Sequence, residues 1–297
     1  MKLQTTVDIQ PSAWKIGYED KILLLGSCFS DEIGEQMKQR YLNVTCNPFG
    51  TLYNPISIAN AITMNEVPEL VLHDGLWHAM SHHGSFSRAN EKEARAAVAA
   101  SVETMQRALE EATVVIVTFG TAWVYEMNGE VVGNCHKLPD SAFTRRRLSV
   151  EEIVAAWQPI LARYPDKHWL FTVSPIRHIK DGLHENQLSK ATLLQAIDEL
   201  ALPFTGEGHC PIGLPVAVRR TLQGVGYFPS YEILLDELRD YRFYADDLVH
   251  PSKLAVNCIW ERLVDTYCTN QTKNEMMLQH KRWKQTQHIP LHENNNP

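Results

Sequence analysis

Three runs of this chain, KILLLG (21–26), TVVIVTFG (113–120) and HWLFTVSP (168–175), are apolar almost without a break and rich in β-branched and aromatic residues. A strand with one face in water alternates apolar and polar side chains, whereas a strand covered on both faces reads as a continuous apolar run. The three runs are therefore expected in a sheet buried between two layers. What separates them is helical. Residues 90–112 are alanine-rich and begin at Asn90, which suits an N-cap. Residues 149–164 are apolar at a spacing of three and four, with Ser149 and Glu152 in the capping-box relation, and 186–200 is again helical. Strand and helix alternating at this distance need crossover connections, which make neighbouring strands parallel, so the pattern predicts an α/β fold with a doubly wound sheet.

Weaker signals add a strand at 43–46, a helix over 56–64 and a late strand at 224–228. LVLHDGLWHAM and AWVYEMNGEVVG read as hairpins inserted on the rim of the sheet, near 68–88 and 122–140, the second turned by Asn128-Gly129. With 297 residues and 44% hydrophobic composition the chain can bury one large core. The expectation is a single domain over 1–268, with 202–223 an irregular loop, and an extension over 269–297 that ends as a polar, poorly ordered tail. A net charge of −7 gives no reason to expect nucleic acid as a partner, and Arg145-Arg146-Arg147 reads as a solvated loop ahead of a helix. No apolar run approaches the roughly 20 residues of a membrane span, and the N-terminus lacks the pattern of a signal peptide, so a cytoplasmic protein is expected. Six cysteines without a CxxC pair are expected to be reduced thiols, and no cofactor is implied.

In a parallel open sheet, ligands bind beyond the carboxyl ends of the strands. Four segments fall there: Gly26-Ser27-Cys28, CNPFGTLYNP (46–55), FGTAW (119–123) and SPIRHIKDG (174–182). Late in the chain, YADDLVHPSK adds Asp247 three residues before His250. A serine hydroxyl needs an imidazole to take its proton and a carboxylate to orient that imidazole, and Ser27, His250 and Asp247 supply those types. Each motif also has a plain structural reading: Ser27 as a helix cap after a strand, and Asp247 as an acceptor for backbone N–H groups at a helix start. If Ser27 stands at the apex of its turn, it faces the cleft and Cys28 is a small buried spacer beneath it. Should the thiol act instead, the start of the following helix would favour its thiolate.

The sequence resembles the GSCFA family, a branch of the SGNH/GDSL-type hydrolase superfamily, over most of its length. The stretches that carry the resemblance include LLGSCFSDEIG, NPFGTLYNP, DGLWHAMSHHGSFS, TFGTAWVYE, TVSPIRHIKDGLHENQLSKATL and the segment ending YADDLVHPS. The resemblance implies a flavodoxin-like three-layer α/β/α sandwich with a mostly parallel central sheet, and a Ser-His-Asp triad for which Ser27, His250 and Asp247 stand in the matching places. It also implies oxyanion donors from the nucleophile's own N–H, from a glycine after the second strand, which Gly50 matches, and from an asparagine that Ala122 replaces here. The loss of one such donor typically costs on the order of 100- to 1000-fold in rate. Asn47, Asn134 and Thr121 are the candidates to replace it. Ser30, where the family name has alanine, is expected to be chemically silent.

Arg177, His178 and Lys180 form a cationic rim suited to an anionic or hydroxylated ligand. His73, His78, His82 and His83 lack the helical spacing and acidic partner of a metal site, so no metal is expected; His82 or His83 is read as lining the pocket. Cys135 and His136, adjacent on an extended segment, point to opposite faces and do not make a dyad. The expected function is an esterase acting on an acyl ester, plausibly of a carbohydrate or cell-wall precursor. O-acyl transfer by the same serine, or ligand binding without turnover, are the alternatives.

Overall fold

The computed structural model describes residues 5–201 and 224–287. Its centre is a five-stranded parallel sheet of β1 (Lys21–Gly26), β2 (Asn43–Cys46), β5 (Val114–Phe119), β9 (His168–Val173) and β10 (Val225–Tyr227). Its order is β2-β1-β5-β9-β10, with every pairing parallel. The chain moves one way from β1 to β2 and the other way from β1 to β5, and at such a reversal the loops leaving adjacent strands diverge and open a crevice.

The continuous apolar runs are explained by cover on both faces. Leu23 and Leu25 of β1, with Val115 and Val117 of β5, join one core with α2 (Pro55–Thr63), α3 (Glu91–Glu111), α4 (Val150–Arg163) and α5 (Leu183–Leu200). The alternate residues Ile22, Leu24, Val114 and Ile116 join the opposite core with α1 (Cys28–Lys38), α6 (Lys253–Tyr267) and Met276 of α7 (Asn270–Thr286). The protein is thus a three-layer α/β/α sandwich. Asn90 caps α3, and Ser149 and Glu152 form a complete capping box on α4.

β3 (Leu70–His73) and β4 (Leu76–Ala79) make one hairpin, turned at Asp74 and Gly75. β6 (Trp123–Met127) and β7 (Glu130–Val132) make the other, turned at Asn128 and Gly129, both with positive φ as the tight turn requires. Arg145–Arg147 is not a solvated loop: with Thr144 it forms β8 (Thr144–Arg147), antiparallel to β6. Long arginines suit that strand because their heads find partners. The Arg145 guanidinium lies 4.2 Å from the Trp123 ring centre and pairs with Asp181, while Arg146 pairs with Glu126 and Glu152.

α7 carries the extension as a helix to Thr286, capped by Thr269 and anchored through the buried Met276. The loop expected over 202–223 and the chain end after 287 lie outside the described residues. No described helix is long and apolar enough to cross a membrane.

Candidate functional site at the sheet's switch point

β1 ends at Gly26 with φ +128, a conformation open to glycine, and a Cβ there would collide with the Thr118 carbonyl of β5. Ser27 follows as the N-cap of α1. Its Oγ accepts from the Phe29 N–H at 3.3 Å, its own N–H donates to the Thr118 carbonyl at 3.3 Å, and the residue is 1% exposed. Cys28, at the first helical position, is only half-buried. Of the two, the serine is the more deeply buried and fills its expected role as helix cap, while the cysteine beside it is the more accessible. Burial pushes the Cys28 thiol up, with Asp31 and Glu32 adding to the shift; the N–H groups of residues 28 and 29 pull the other way without cancelling it.

Two neighbours sense the charge of Cys28. Burial, followed by Cys28 and Asp31, raises the pKa of Tyr53, and Tyr53 sets its ring edge-on to His178 with centres 6.2 Å apart. The second is Lys190 of α5, 1% exposed, whose ammonium is pushed down to about 7 by burial, with Cys28 opposing. Lys190 Nζ donates to the carbonyls of Gly120 and Ser174, each at 2.7 Å, and so ties together the loops that leave β5 and β9.

Asp247 and His250 pair within the turn ahead of α6. His250 Nδ1 lies 2.6 Å from Asp247 Oδ2, and Asp247 Oδ1 accepts from the N–H groups of Val249 and His250. Those backbone bonds, then the imidazole, hold the carboxyl near 2, so it is ionised at any ordinary pH. Asp247 thus accepts backbone N–H groups of its own turn and partners the imidazole at once, whereas the start of the following helix, α6, is capped by Ser252. Arg177 fastens this turn to the β9 loop: its N–H donates to the Val249 carbonyl at 3.1 Å and its Nη1 to the Leu248 carbonyl at 3.2 Å. Next to it, the His178 imidazole is pushed down to about 3, first by burial and then by Lys190, with His250 contributing. Its backbone N–H donates to Asn186 Oδ1, and its Nε2 is buried without a hydrogen-bond partner among the described residues.

Two of the expected oxyanion donors, the Gly50 N–H and the Asn47 amide, donate within the protein. The N–H of Gly50 closes a turn onto the Asn47 carbonyl at 2.7 Å, and the face where a Cβ would stand is filled by His83, so glycine is required there by packing. Asn47 is a brace for the turn that ends β1: Oδ1 accepts from the Gly26 N–H and Nδ2 donates to Asp31 Oδ1, both at 2.8 Å. Thr121 Oγ1 accepts from the Trp123 N–H and contacts Ser189 Oγ at 3.1 Å. The N–H of Ala122, the residue in the asparagine's place, donates to Ser189 Oγ at 2.7 Å. Asn134 Oδ1 is taken by the His136 N–H. Ser30 has a structural part: its hydroxyl donates to the Leu25 carbonyl and lies 2.8 Å from Thr118 Oγ1, joining α1 to β1 and β5.

The histidine-rich insertion is a separate packed unit. His82 stacks on Phe49 with its two ring nitrogens on Ser81 and Ser101, so it is sealed and does not line the cleft. His78 packs its ring 4.4 Å from that of His136 and bonds Ser87 and the His73 carbonyl, while His136 bonds the Ala79 carbonyl. No cluster of three metal-ligating side chains occurs among the described residues.

Asn186, Ser189 and Lys190 were missed by motif reading. They had a signal: they recur at i, i+3 and i+4 on the stripe of α5 that continues with Leu193, Ala196 and Ile197, placing polar groups on a buried face. Each holds a different piece of the site: Asn186 the His178 backbone, Ser189 the 120–123 turn, Lys190 two strand-end carbonyls.

Fold and side chains together define a doubly wound α/β protein that carries a half-buried thiol at the start of α1, a carboxylate–imidazole pair and a buried lysine bridging two strand-end loops. The chain belongs to the GSCFA family, whose model matches residues 21–263. No curated protein and no solved structure matches it.

Proposed function

We propose that the chain is an acyl-ester hydrolase working through a covalent acyl-enzyme, with Cys28 as nucleophile, His250 as base and Asp247 as the carboxylate that orients it. The observation that carries this reading is the His250–Asp247 pair at 2.6 Å, with the half-buried Cys28 at the start of α1 the more accessible of the two adjacent candidate nucleophiles. With Nδ1–H donated to an ionised carboxylate, the neutral ring presents Nε2 as a proton acceptor. In the first step Sγ bonds to the ester carbonyl carbon and its proton passes to His250. The tetrahedral intermediate then collapses, and the alkoxide leaves with that proton. Water, deprotonated by the same imidazole, cleaves the thioester and frees the acid. The start of α1 and the positive charge of Lys190 both favour negative charge at Cys28.

The raised thiol pKa of Cys28 favours a second reading in which Ser27 is the nucleophile and the thiol only packs. Passage of the acyl group to another hydroxyl instead of water would make either version an acyltransferase. Hydrolysis of p-nitrophenyl acetate, with intact-mass labelling by iodoacetamide and by a fluorophosphonate, separates these outcomes. Loss of turnover in Cys28→Ala and His250→Ala with turnover kept in Ser27→Ala is expected. The reverse pattern for the two nucleophile variants assigns the chemistry to Ser27, and full activity in His250→Ala refutes the hydrolase reading.

A further inference from the structure

Beside the crevice lies a second concavity of about 440 Å³, within the size range of small-molecule sites. It shares a wall with the site already described. Arg177, which holds the Asp247–His250 turn, and Asn186, which holds the His178 backbone, both line it. Tyr231 forms another part of the wall; its hydroxyl donates to Gln187 Oε1 at 2.7 Å, and Lys190 Nζ sits 5.5 Å from its ring centre. A ligand group lodged here is therefore one residue layer from the proposed catalytic groups.

The far wall is built with unusual backbone. After β10 the chain winds as a π-helical turn, Ile233–Leu238, and ends on Arg239 in the left-handed region with φ +53. Helices wound this way and non-glycine residues held there are uncommon and persist where the surroundings enforce them, often at functional sites. The result sets the Arg239 side chain on the pocket wall, with Asp236 one helical turn earlier on the same wall. Arg177 and Arg239 are in no ion pair among the described residues, although Arg177 packs its guanidinium 5.0 Å from the Tyr244 ring centre. Tyr241, 66% exposed, adds a second aromatic face at the mouth, its ring centre 6.0 Å from that of Tyr244.

This combination selects a ligand class. Aromatic faces take the apolar C–H face of a pyranose, planar amide, carboxylate and guanidinium groups take its hydroxyls, and two arginines against one aspartate leave a net positive wall that a carboxylate satisfies in bidentate fashion. We propose that this pocket is the subsite for the alcohol portion of the substrate and that it takes an acidic sugar. The assignment rests on the acyl-hydrolase reading for its role, but the binding itself does not need turnover.

The test is ligand-observed NMR titration of the full chain with glucuronate, galacturonate and N-acetylmuramate against glucose, galactose and N-acetylglucosamine. Acidic sugars are expected to bind at least about tenfold more tightly than their neutral counterparts, and Arg239→Gln to remove that preference, the difference one charge-assisted pair makes. Tyr241→Ala, at an exposed position that does not threaten folding, is expected to weaken both series. Absence of binding by every acidic sugar, equal affinity for the two series, or an unaltered preference in Arg239→Gln overturns the proposal. Cys28→Ala separates this result from the catalytic reading: it removes turnover while leaving sugar binding in place, and turnover kept in both that variant and His250→Ala sinks the hydrolase reading alone.

Discussion

Lys190→Met is the substitution whose outcome the geometry constrains most tightly. The variant leaves the carbonyls of Gly120 and Ser174 without their shared donor, at about 1–3 kcal/mol each. It also removes a buried ammonium. Burial lowers that group from 10.5 to about 7, so at pH 7 its linkage contribution is unfavourable by about 4 kcal/mol, and the two effects roughly offset. The variant is thus expected to fold at pH 7 with stability close to the parent. The sign of the pH dependence then separates the two proteins. Between the folded value near 7 and the unfolded value near 10.5 the unfolded chain binds more protons, so stability rises with pH through this group. From pH 7 to pH 9 the parent gains about 2 kcal/mol that Lys190→Met does not. Urea unfolding followed by the fluorescence of buried Trp157 and Trp169 measures it, and taking the difference between the proteins cancels the thiols and tyrosines that titrate in both. Parallel stability curves across that range would refute the idea that Lys190 is a strained, partly neutral amine.

Gly26→Ala is expected to cost more than about 3 kcal/mol and to abolish activity, because the backbone has positive φ and the new methyl meets the Thr118 carbonyl; a melting curve matching the parent's would show that the turn relaxes. Acid should loosen the histidine insertion. His82, 0% exposed, is pushed down to about 4, first by burial and then by His136, so the unfolded chain takes its proton first as pH drops below 6.5. Its share of the loss between pH 7 and pH 5 is about 2 kcal/mol, which His82→Gln should remove; an unchanged urea midpoint at pH 5 relative to pH 7 in the parent contradicts this.

Much of the sheet was legible because burial on both faces writes itself into a strand as an unbroken apolar run, and three of the five parallel strands carry such a run. β2 and β10 are short edge strands with one neighbour each, and their pattern is correspondingly weak. β8 was hidden because its stabilisation comes from cation–π and ionic contacts that a hydropathy pattern does not register. Asp247 and His250 could be paired from spacing alone, since three residues of a turn bring the side chains together. The amides could not be sorted: Asn47, Asn134 and the Gly50 backbone all have the right chemistry, and only the coordinates show each bonded to a neighbouring turn. Nor did spacing reveal Lys190, whose type is ordinary in a helix and whose meaning comes from the two carbonyls above it.

Helix physics gives Ser27 and Cys28 different surroundings, and the difference sharpens the central prediction. Phe29, Ile33 and Met37 repeat at i, i+4 and i+8 and define the buried stripe of α1. Cys28 precedes the first member of that stripe by one residue, which turns it roughly 100° around the helix axis, away from the stripe. Ser27 then becomes the N-cap, and an N-cap hydroxyl folds back over the N–H groups of the first turn. A serine so placed has its oxygen accepting from the Phe29 N–H at 3.3 Å and its backbone N–H on the Thr118 carbonyl, so a rotamer that swung the hydroxyl away from the helix start would give up the cap. That loss is worth about 0.5–2 kcal/mol, small beside a catalytic barrier but paired with the need to expose a residue that is 1% accessible. Cys28 faces neither demand. Its obstacle is protonation, which His250 and a rise in pH can both relieve. Alkylation of Cys28 by iodoacetamide is therefore expected to climb with pH in the parent and to fall at every pH in His250→Ala; identical alkylation profiles in the two proteins would break the link between thiol and imidazole.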